Sequence, residues 1–176
     1  TREDMVVYPH DDRHARVYVT AKLQTLIQQG QEYFGQTPIE TGQSLRLPAE
    51  EYSINGEIKQ VGSEIQTDSV DVLLEQTVDV QTADEIEAGD IIQSAGQTQA
   101  TIETVTAYGS GNPDRKHVYL GVSLNALQFG SQQYFGGTPI REGSSVSLQT
   151  EDYDLNAEIQ RVGALEQRGS ETTKTV

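Results

Sequence analysis

The stretch QQYFGGTPIREGSSVSLQTEDYDLNAEIQRVG at residues 132–163 occurs a second time, in altered form, as QEYFGQTPIETGQSLRLPAEEYSINGEIKQVG at residues 31–62. A shift of 101 residues aligns 17–62 with 118–163 without any insertion, and 21 of the 46 aligned positions are identical. Similarity of this extent indicates an internal duplication. Because the period is far longer than that of a solenoid repeat, we expect the copies to be domains or half-domains.

Each copy has the pattern of β-strands. Apolar residues occupy every second position in VYVTAKL (17–23) and in VYLGVSL (118–124), which is typical of a half-buried strand. Turn residues recur at equivalent positions, namely Gly35, Pro38 and Gly42 with Gly136, Pro139 and Gly143. We predict four strands per copy, joined by short turns into an antiparallel meander. The protein is therefore expected to be all-β, with two related antiparallel modules that are each a small barrel or sandwich.

The segment between the copies adds further strands. SVDVLLEQTVDVQT (69–82) predicts one long strand, bent near Glu75–Gln76. The pattern Ile86-Glu87-x-Gly89 resembles Ile39-Glu40-x-Gly42 of the first copy. One hypothesis is that a complete domain consists of two related halves, the middle segment and the C-terminal copy. We accordingly predict a C-terminal complete module at 63–176 and an N-terminal, incomplete module at 1–62. TADEIEAG is the one helix candidate, with Thr82 as its predicted N-cap.

The charge of the chain excludes some classes of partner. There are 27 acidic and 12 basic side chains, for a formal net charge of −15. This excess disfavours binding to nucleic acid and to anionic lipid surfaces, which both require a basic face. The acids could line a pocket for a cationic ligand. Their scatter along the whole chain instead favours a solvated acidic surface, as in proteins adapted to concentrated salt.

Motifs for chemistry are sparse. The absence of Cys removes disulfides and thiolate sites, and no phosphate-binding loop or nucleophile-elbow motif occurs. HDDRH (10–14) could ligate a divalent metal, but a solvated loop is favoured because the equivalent GNPDRKH (111–117) lacks one His and one Asp. DYDLN (152–156) resembles the start of a calcium loop, yet Ala157 and Gly163 stand where that loop needs Gly and Glu. We predict no catalytic residues, no metal site and no cofactor.

The best candidates for binding are the aromatic turns. The Tyr-Phe-Gly sequence occurs in both copies, with Pro close behind and an Arg in the second copy. The rings could form a platform for a sugar or for a strand of a partner protein. Alternatively, they plug the open end of a barrel while Gly and Pro set the turn. The predicted binding residues are Tyr33, Phe34, Tyr134, Phe135 and Arg141.

The second copy and the segment before it resemble a known prokaryotic family. ADEIEAGDII, TIETVTAYG, RKHVYLGVSL and the 132–163 stretch match the domain-of-unknown-function family 4330 in order and spacing, with 15–62 as a partial second match. Members of that family typically carry a membrane-spanning helix ahead of an extracytoplasmic domain. The resemblance implies an anchored envelope protein whose anchor lies outside this sequence, with a cytoplasmic location as the alternative. It brings no catalytic residues. Since the sequence opens on Thr1, we expect a piece of a longer protein.

Together these patterns lead to one functional expectation and one alternative. The chain is expected to be a non-catalytic, extracytoplasmic structural or protein-interaction module of a membrane-anchored, salt-adapted protein. Its partner would be another protein or a second copy of itself. The alternative is a small-molecule or carbohydrate-binding module that uses the Tyr-Phe-Gly turns. A hydrolase ranks third, because no nucleophile–base pair is visible in the sequence.

Overall fold

The computed structural model describes residues 5–11, 13–169 and 172–176. Strands make up 57% of the chain and helix 4%, which confirms the all-β prediction. The N-terminal strands are β1 (Met5–Asp11), β2 (His14–Val19), β3 (Leu26–Gln28), β4 (Gln31–Phe34), β5 (Thr37–Pro38), β6 (Ser44–Pro48) and β7 (Ser53–Glu57). The remaining elements are β8 (Thr67–Asp79), α1 (Val80–Glu85), β9 (Ile91–Ser94), β10 (Gln97–Gly109), β11 (Arg115–Phe129), β12 (Gln132–Phe135), β13 (Thr138–Pro139), β14 (Ser145–Gln149) and β15 (Asp154–Val162).

The chain divides into two compact units. The smaller, called here the first unit, contains Tyr18–Ile65 together with Met5. The second unit contains Val6–Val17 and Gln66–Val176. The boundary after Ile65 lies close to the one expected at residue 62, but Val6–Val17 group with the second unit instead of with the first copy.

The second unit is built on one curled, antiparallel sheet that forms a half-barrel. Its strand order is β13-β12-β11-β8-β15-β14, and β10 pairs with both β11 and β9. The central strand is β8, which pairs with β11 along its whole length, from Arg115↔Asp79 to Leu127↔Thr67. On its other side β8 pairs with β15, where a register shift between Ile159 and Arg161 leaves Gln160 as an extra residue.

The core of the second unit is formed by buried apolar side chains of this sheet. Alternate residues of β8 and β11 are buried, as the period-two pattern requires. Fully buried side chains include Val72, Leu74, Leu120, Leu124, Leu148, Leu155 and Ile159. The two valines of β1 and Tyr8 are buried as well.

The first unit consists of two small, separate sheets. One has the order β3-β4-β5 and the other pairs β6 with β7. Residues 20–25 are not in a strand, although VYVTAKL was predicted to form one throughout. The equivalent residues of the second copy lie within β11, where β8 and β10 flank them. The alternating pattern forms a strand where neighbours supply hydrogen bonds, and 20–25 have none on either side within the described sheets.

Strand pairing inside the two sequence copies follows the same register. Leu26↔Tyr33 in the first unit corresponds to Leu127↔Tyr134 in the second. Likewise, the hairpin from Ser44↔Glu57 to Pro48↔Ser53 corresponds to the hairpin from Ser145↔Glu158 to Gln149↔Asp154. Local pairing is therefore the same in both stretches, and the two differ in the strands that flank them.

One turn occurs three times. In the first unit the amide of Gly42 donates to the carbonyl of Ile58 and the amide of Ile58 donates to Gln43. The same two bonds join Gly143, Ser144 and Ile159, and again Gly89, Asp90 and Ile102. Each glycine has a positive φ, between 86° and 101°, which explains the residue type. The turn at Gly89 belongs to the Ile86-Glu87-x-Gly89 pattern, which lies between the two copies.

The short helix exists, but its predicted cap was wrong. Asp79 is the N-cap, since its carboxylate accepts hydrogen bonds from the amide of Thr82 at 2.8 Å and from the hydroxyl of Thr82 at 2.9 Å. The amide bond is the main reason why the pKa of Asp79 lies below its usual value. The helix begins two residues before Thr82 because β8 runs directly into it, and a carboxylate is at least as good a cap as a hydroxyl.

Candidate functional site

The aromatic turn of the second unit is part of its core. Phe135 is buried, and its ring meets that of Tyr8 edge-on with centroids 5.1 Å apart. Tyr134 is half-buried and packs against Phe129 at 5.8 Å. Gly136, with φ of 57°, provides the left-handed backbone that reverses the chain after these rings. These contacts favour a structural role for Phe135, and the contact with Tyr8 could not be predicted from the sequence.

The equivalent turn of the first unit is more open. Tyr33 and Phe34 are both half-buried, and Gly35 has a positive φ of 62°. Arg141, the fifth predicted binding residue, is exposed in the second unit. Its carbonyl accepts from the amide of Ser144 at 3.1 Å, so its backbone belongs to the repeated glycine turn. Tyr134, Phe135 and Arg141 thus lie on one continuous segment of the chain. Among the described contacts, none joins the side chains of Phe135 and Arg141.

A polar cluster that the sequence did not reveal lies on the second unit. His117 of β11 stands opposite Thr77 of β8, and its Nδ1 lies 2.9 Å from the threonine hydroxyl. Its Nε2 lies 2.5 Å from a carboxylate oxygen of Glu75 and 3.1 Å from the hydroxyl of Tyr119. Because a carboxylate only accepts, Nε2 carries a proton in this contact. Residues two apart on a strand share a face, so β8 and β11 bring these four side chains together.

This cluster borders a shallow cavity of about 610 Å³. Burial, and secondly the negative charge of Glu75, raise the pKa of Tyr119 above its usual value. The ring of Tyr119 also meets that of Tyr108 edge-on at 6.0 Å. The lining residues are Thr77, Tyr108, Gly109, Ser110, Asn112, Arg115, His117, Tyr119 and Gln167. Hydroxyls, an amide, a guanidinium and aromatic rings are groups that contact polar organic molecules.

The histidine loop is held by local hydrogen bonds. Asp11 accepts from the amides of Arg13 and His14, both at 2.9 Å, and from the ring of His14 at 2.8 Å. The bond from Arg13 is the largest cause of the lowered pKa of Asp11. Asp12 lies outside the described residues. Within the described residues, no group of three or more histidine and carboxylate side chains could hold a metal ion.

A second unforeseen contact involves Tyr153, within the stretch that resembled a calcium loop. Its hydroxyl donates to a carboxylate oxygen of Asp90 at 2.6 Å. The same carboxylate accepts from the amide of Glu87 at 2.9 Å. The pKa of Tyr153 is strongly raised, firstly by burial and secondly by the hydrogen bond to Asp90. The contact joins the β14–β15 hairpin to the Gly89–Asp90 turn.

The first unit exposes apolar residues whose equivalents in the second unit are buried. Leu26 is 58% exposed and Leu127 is 0% exposed. Tyr52 is 64% exposed against 7% for Tyr153, and Ile54 is 38% exposed against 1% for Leu155. We refer to Val19, Leu26, Ile27, Tyr52 and Ile54, which are all exposed, as the apolar surface of the first unit.

Comparison with known proteins yields no match among family models, curated proteins or solved structures. No helix within the described ranges has the length and apolar character needed to cross a membrane.

Proposed function

We propose that this protein is a non-catalytic protein-interaction module, and that the apolar surface of the first unit is where its partner binds. One observation carries the proposal: positions that are nearly identical in sequence are buried in the second unit and exposed in the first. Covering a leucine or isoleucine side chain contributes about 1.5–3 kcal/mol relative to leaving it in water. Three of the five residues of this surface are leucine or isoleucine, so covering them would favour association.

Unpaired strand edges point to the same function. Strand β3 pairs only with β4, and β7 pairs only with β6, in the described part of the first unit. Each presents a free row of backbone amides and carbonyls, which another strand can join. The shared register of the two copies supports our view that both stretches are modules of one kind. The second unit then shows how the apolar residues of such a module become buried.

The location follows from the resemblance and the composition. Similarity to the domain-of-unknown-function family 4330 supports an extracytoplasmic module attached to a membrane through an anchor outside residues 1–176. The net charge of −15 supports adaptation to salt. The location and the apolar surface are independent of each other, so the interaction function can be tested by itself.

Site-specific photo-crosslinking in the cells that produce the protein tests this function. A photoreactive amino acid at position 26 is expected to give a cross-linked product of discrete mass. The same amino acid at position 103 is the control, because Glu103 is exposed and belongs to the second unit. Equal labelling at both positions, or no discrete product at position 26, would contradict the proposed interaction function.

Small-molecule binding is a second candidate, favoured by the cavity beside His117. Its edge-on pair of tyrosines and its mixed donors and acceptors suit a neutral sugar. Titration with glucose and N-acetylglucosamine, followed through the imidazole proton resonances of His117, would show shifts that are absent in a Tyr119→Ala variant. Resonances that do not move at millimolar sugar would exclude this ligand class.

A further inference from the structure

The second unit shows which element covers the positions that the first unit exposes. β8 lies between β11 and β15 and pairs with both. In the first unit, the stretches equivalent to β11 and β15 include β3 and β7, and these belong to separate sheets in the described structure. An antiparallel strand placed between residues 19–28 and 53–61 would join them in the way that β8 joins β11 and β15.

The charges of the first unit fit a strand with the sequence of β8. In the second unit Ser123 pairs with Asp71 of β8, and its hydroxyl donates to that carboxylate at 2.6 Å. The equivalent of Ser123 is Lys22, whose side chain is 90% exposed and lies 3.8 Å from Glu64. If a strand with an acid at the Asp71 position paired with the first unit, that acid would lie opposite the ammonium group of Lys22. In the second unit the same acid lies opposite the hydroxyl of Ser123.

Tyr52 points to a second feature of the same covering segment. Its equivalent, Tyr153, is buried because the Gly89–Asp90 turn covers it and accepts its hydroxyl proton at 2.6 Å. Asp90 follows β8 by a helix and a short loop. The segment from β8 through this turn thus supplies both the apolar cover and the acceptor that a tyrosine at this position uses.

We propose that the first unit binds a polypeptide segment with the chemistry of residues 67–101, provided by another module of this kind. The segment would insert its β8-like strand between β3 and β7 and place a Gly-Asp turn on Tyr52. This inference rests on the proposed interaction function and goes further, because it names the partner. In this register the Leu74 position of the strand would lie opposite Val19, the Thr67 position would lie opposite Leu26, and the acid at the Asp71 position would pair with Lys22.

The test adds a synthetic polypeptide of residues 66–109 to the full chain. Calorimetry is expected to show a one-to-one complex, and hydrogen exchange is expected to slow at least about tenfold in residues 19–28 and 53–61. A control polypeptide with Val70, Val72 and Leu74 changed to Ser should not bind, because those side chains form the inward face of β8. Uptake into the second unit would appear instead as faster exchange of the chain's own β8 and would overturn the inference.

A charge exchange gives a sharper test. Lys22→Glu in the chain should weaken binding about three- to tenfold, since like charges opposite each other on paired strands are destabilising. Asp71→Lys in the polypeptide should restore binding to that variant. Equal affinities in all four combinations would contradict the proposed register.

The remaining outcomes separate this inference from the function on which it rests. If the polypeptide does not bind but residues 19–28 become protected as the chain concentration rises, the partner is a second copy pairing edge to edge. The named partner is then wrong while the interaction function stands. If neither protection nor a discrete cross-link at position 26 is found, both are wrong.

Discussion

The hydroxyl of Tyr153 donates a 2.6 Å hydrogen bond to the carboxylate of Asp90, 63 residues away in the sequence. Tyr153→Phe should remove about 1.5–3 kcal/mol from the free energy of unfolding of the second unit, as for a bond to a charged acceptor. Urea unfolding followed by circular dichroism measures this difference. Tyr52→Phe is the matched control, since Tyr52 is largely exposed, and should change stability by less than about 0.5 kcal/mol. Equal effects of the two changes would contradict a special role for the Asp90 contact.

The same tyrosine predicts a loss of stability in alkali. Burial and then Asp90 raise the pKa of Tyr153 in the folded state above the value of about 10 expected when unfolded. A raised pKa means that the folded protein retains the proton, so its contribution is complete below pH about 10 and is lost as the pH rises further. The free energy of unfolding should therefore fall between pH 9.5 and 11. In Tyr153→Phe the fall should be shallower, and an unchanged slope would count against this explanation.

The two aromatic turns predict different costs for the same substitution. Phe135→Ala should cost about 3–5 kcal/mol, because a fully packed ring is removed from beside Tyr8. Phe34→Ala should cost clearly less, because Phe34 is only half-buried. Chemical unfolding of the two variants provides the comparison. Retained stability in Phe135→Ala would instead favour the platform hypothesis for this turn.

Gly121 marks a close approach of two segments of the second unit. A Cβ added there would lie 2.3 Å from the hydroxyl oxygen of Thr104 and 2.5 Å from the carbonyl oxygen of Leu165. Gly121→Ala should therefore destabilise the unit by about 1–3 kcal/mol through overpacking. Gly109→Ala is the control, since open space surrounds that glycine and its φ is not positive. Its effect on the melting temperature should be neutral or slightly favourable.

The acidic surface predicts stabilisation by salt. Mutual repulsion within a net charge of −15 should weaken the fold in dilute buffer, and ions screen it. Between 10 mM and 1 M KCl the melting temperature should rise by about 3–8 °C, as a gain of about 1 kcal/mol would produce. A variant with Glu50 and Glu51 changed to Gln should respond less. The same melting temperature at both salt concentrations would refute salt adaptation through charge.

Local features of the fold were predictable from sequence. Alternation of apolar residues indicated the strands that became β11, and Gly35, Gly42 and their equivalents marked turns that the structure contains. The Gly89 frame, a weak echo in sequence, has the same hydrogen bonds as the other two glycine turns. These features succeed because a strand's alternation and a glycine's positive φ depend on residues near each other in the chain.

The polar clusters could not be predicted, for the opposite reason. His117 meets Glu75 and Thr77 because β8 and β11 pair in one register among several that the alternating pattern permits. Tyr8 meets Phe135 across more than a hundred residues. Asp79, not Thr82, caps the helix because β8 ends at Asp79, and the end of a strand depends on its partner strands.

The sequence by itself determined the all-β class and the positions of the glycine turns. Tertiary structure alone decided which of the two similar stretches has a buried core: Leu127 is buried and Leu26 is exposed. The physical reason is that burial depends on the neighbouring strand, and in the described sheets β8 pairs with strands of the second stretch but not of the first.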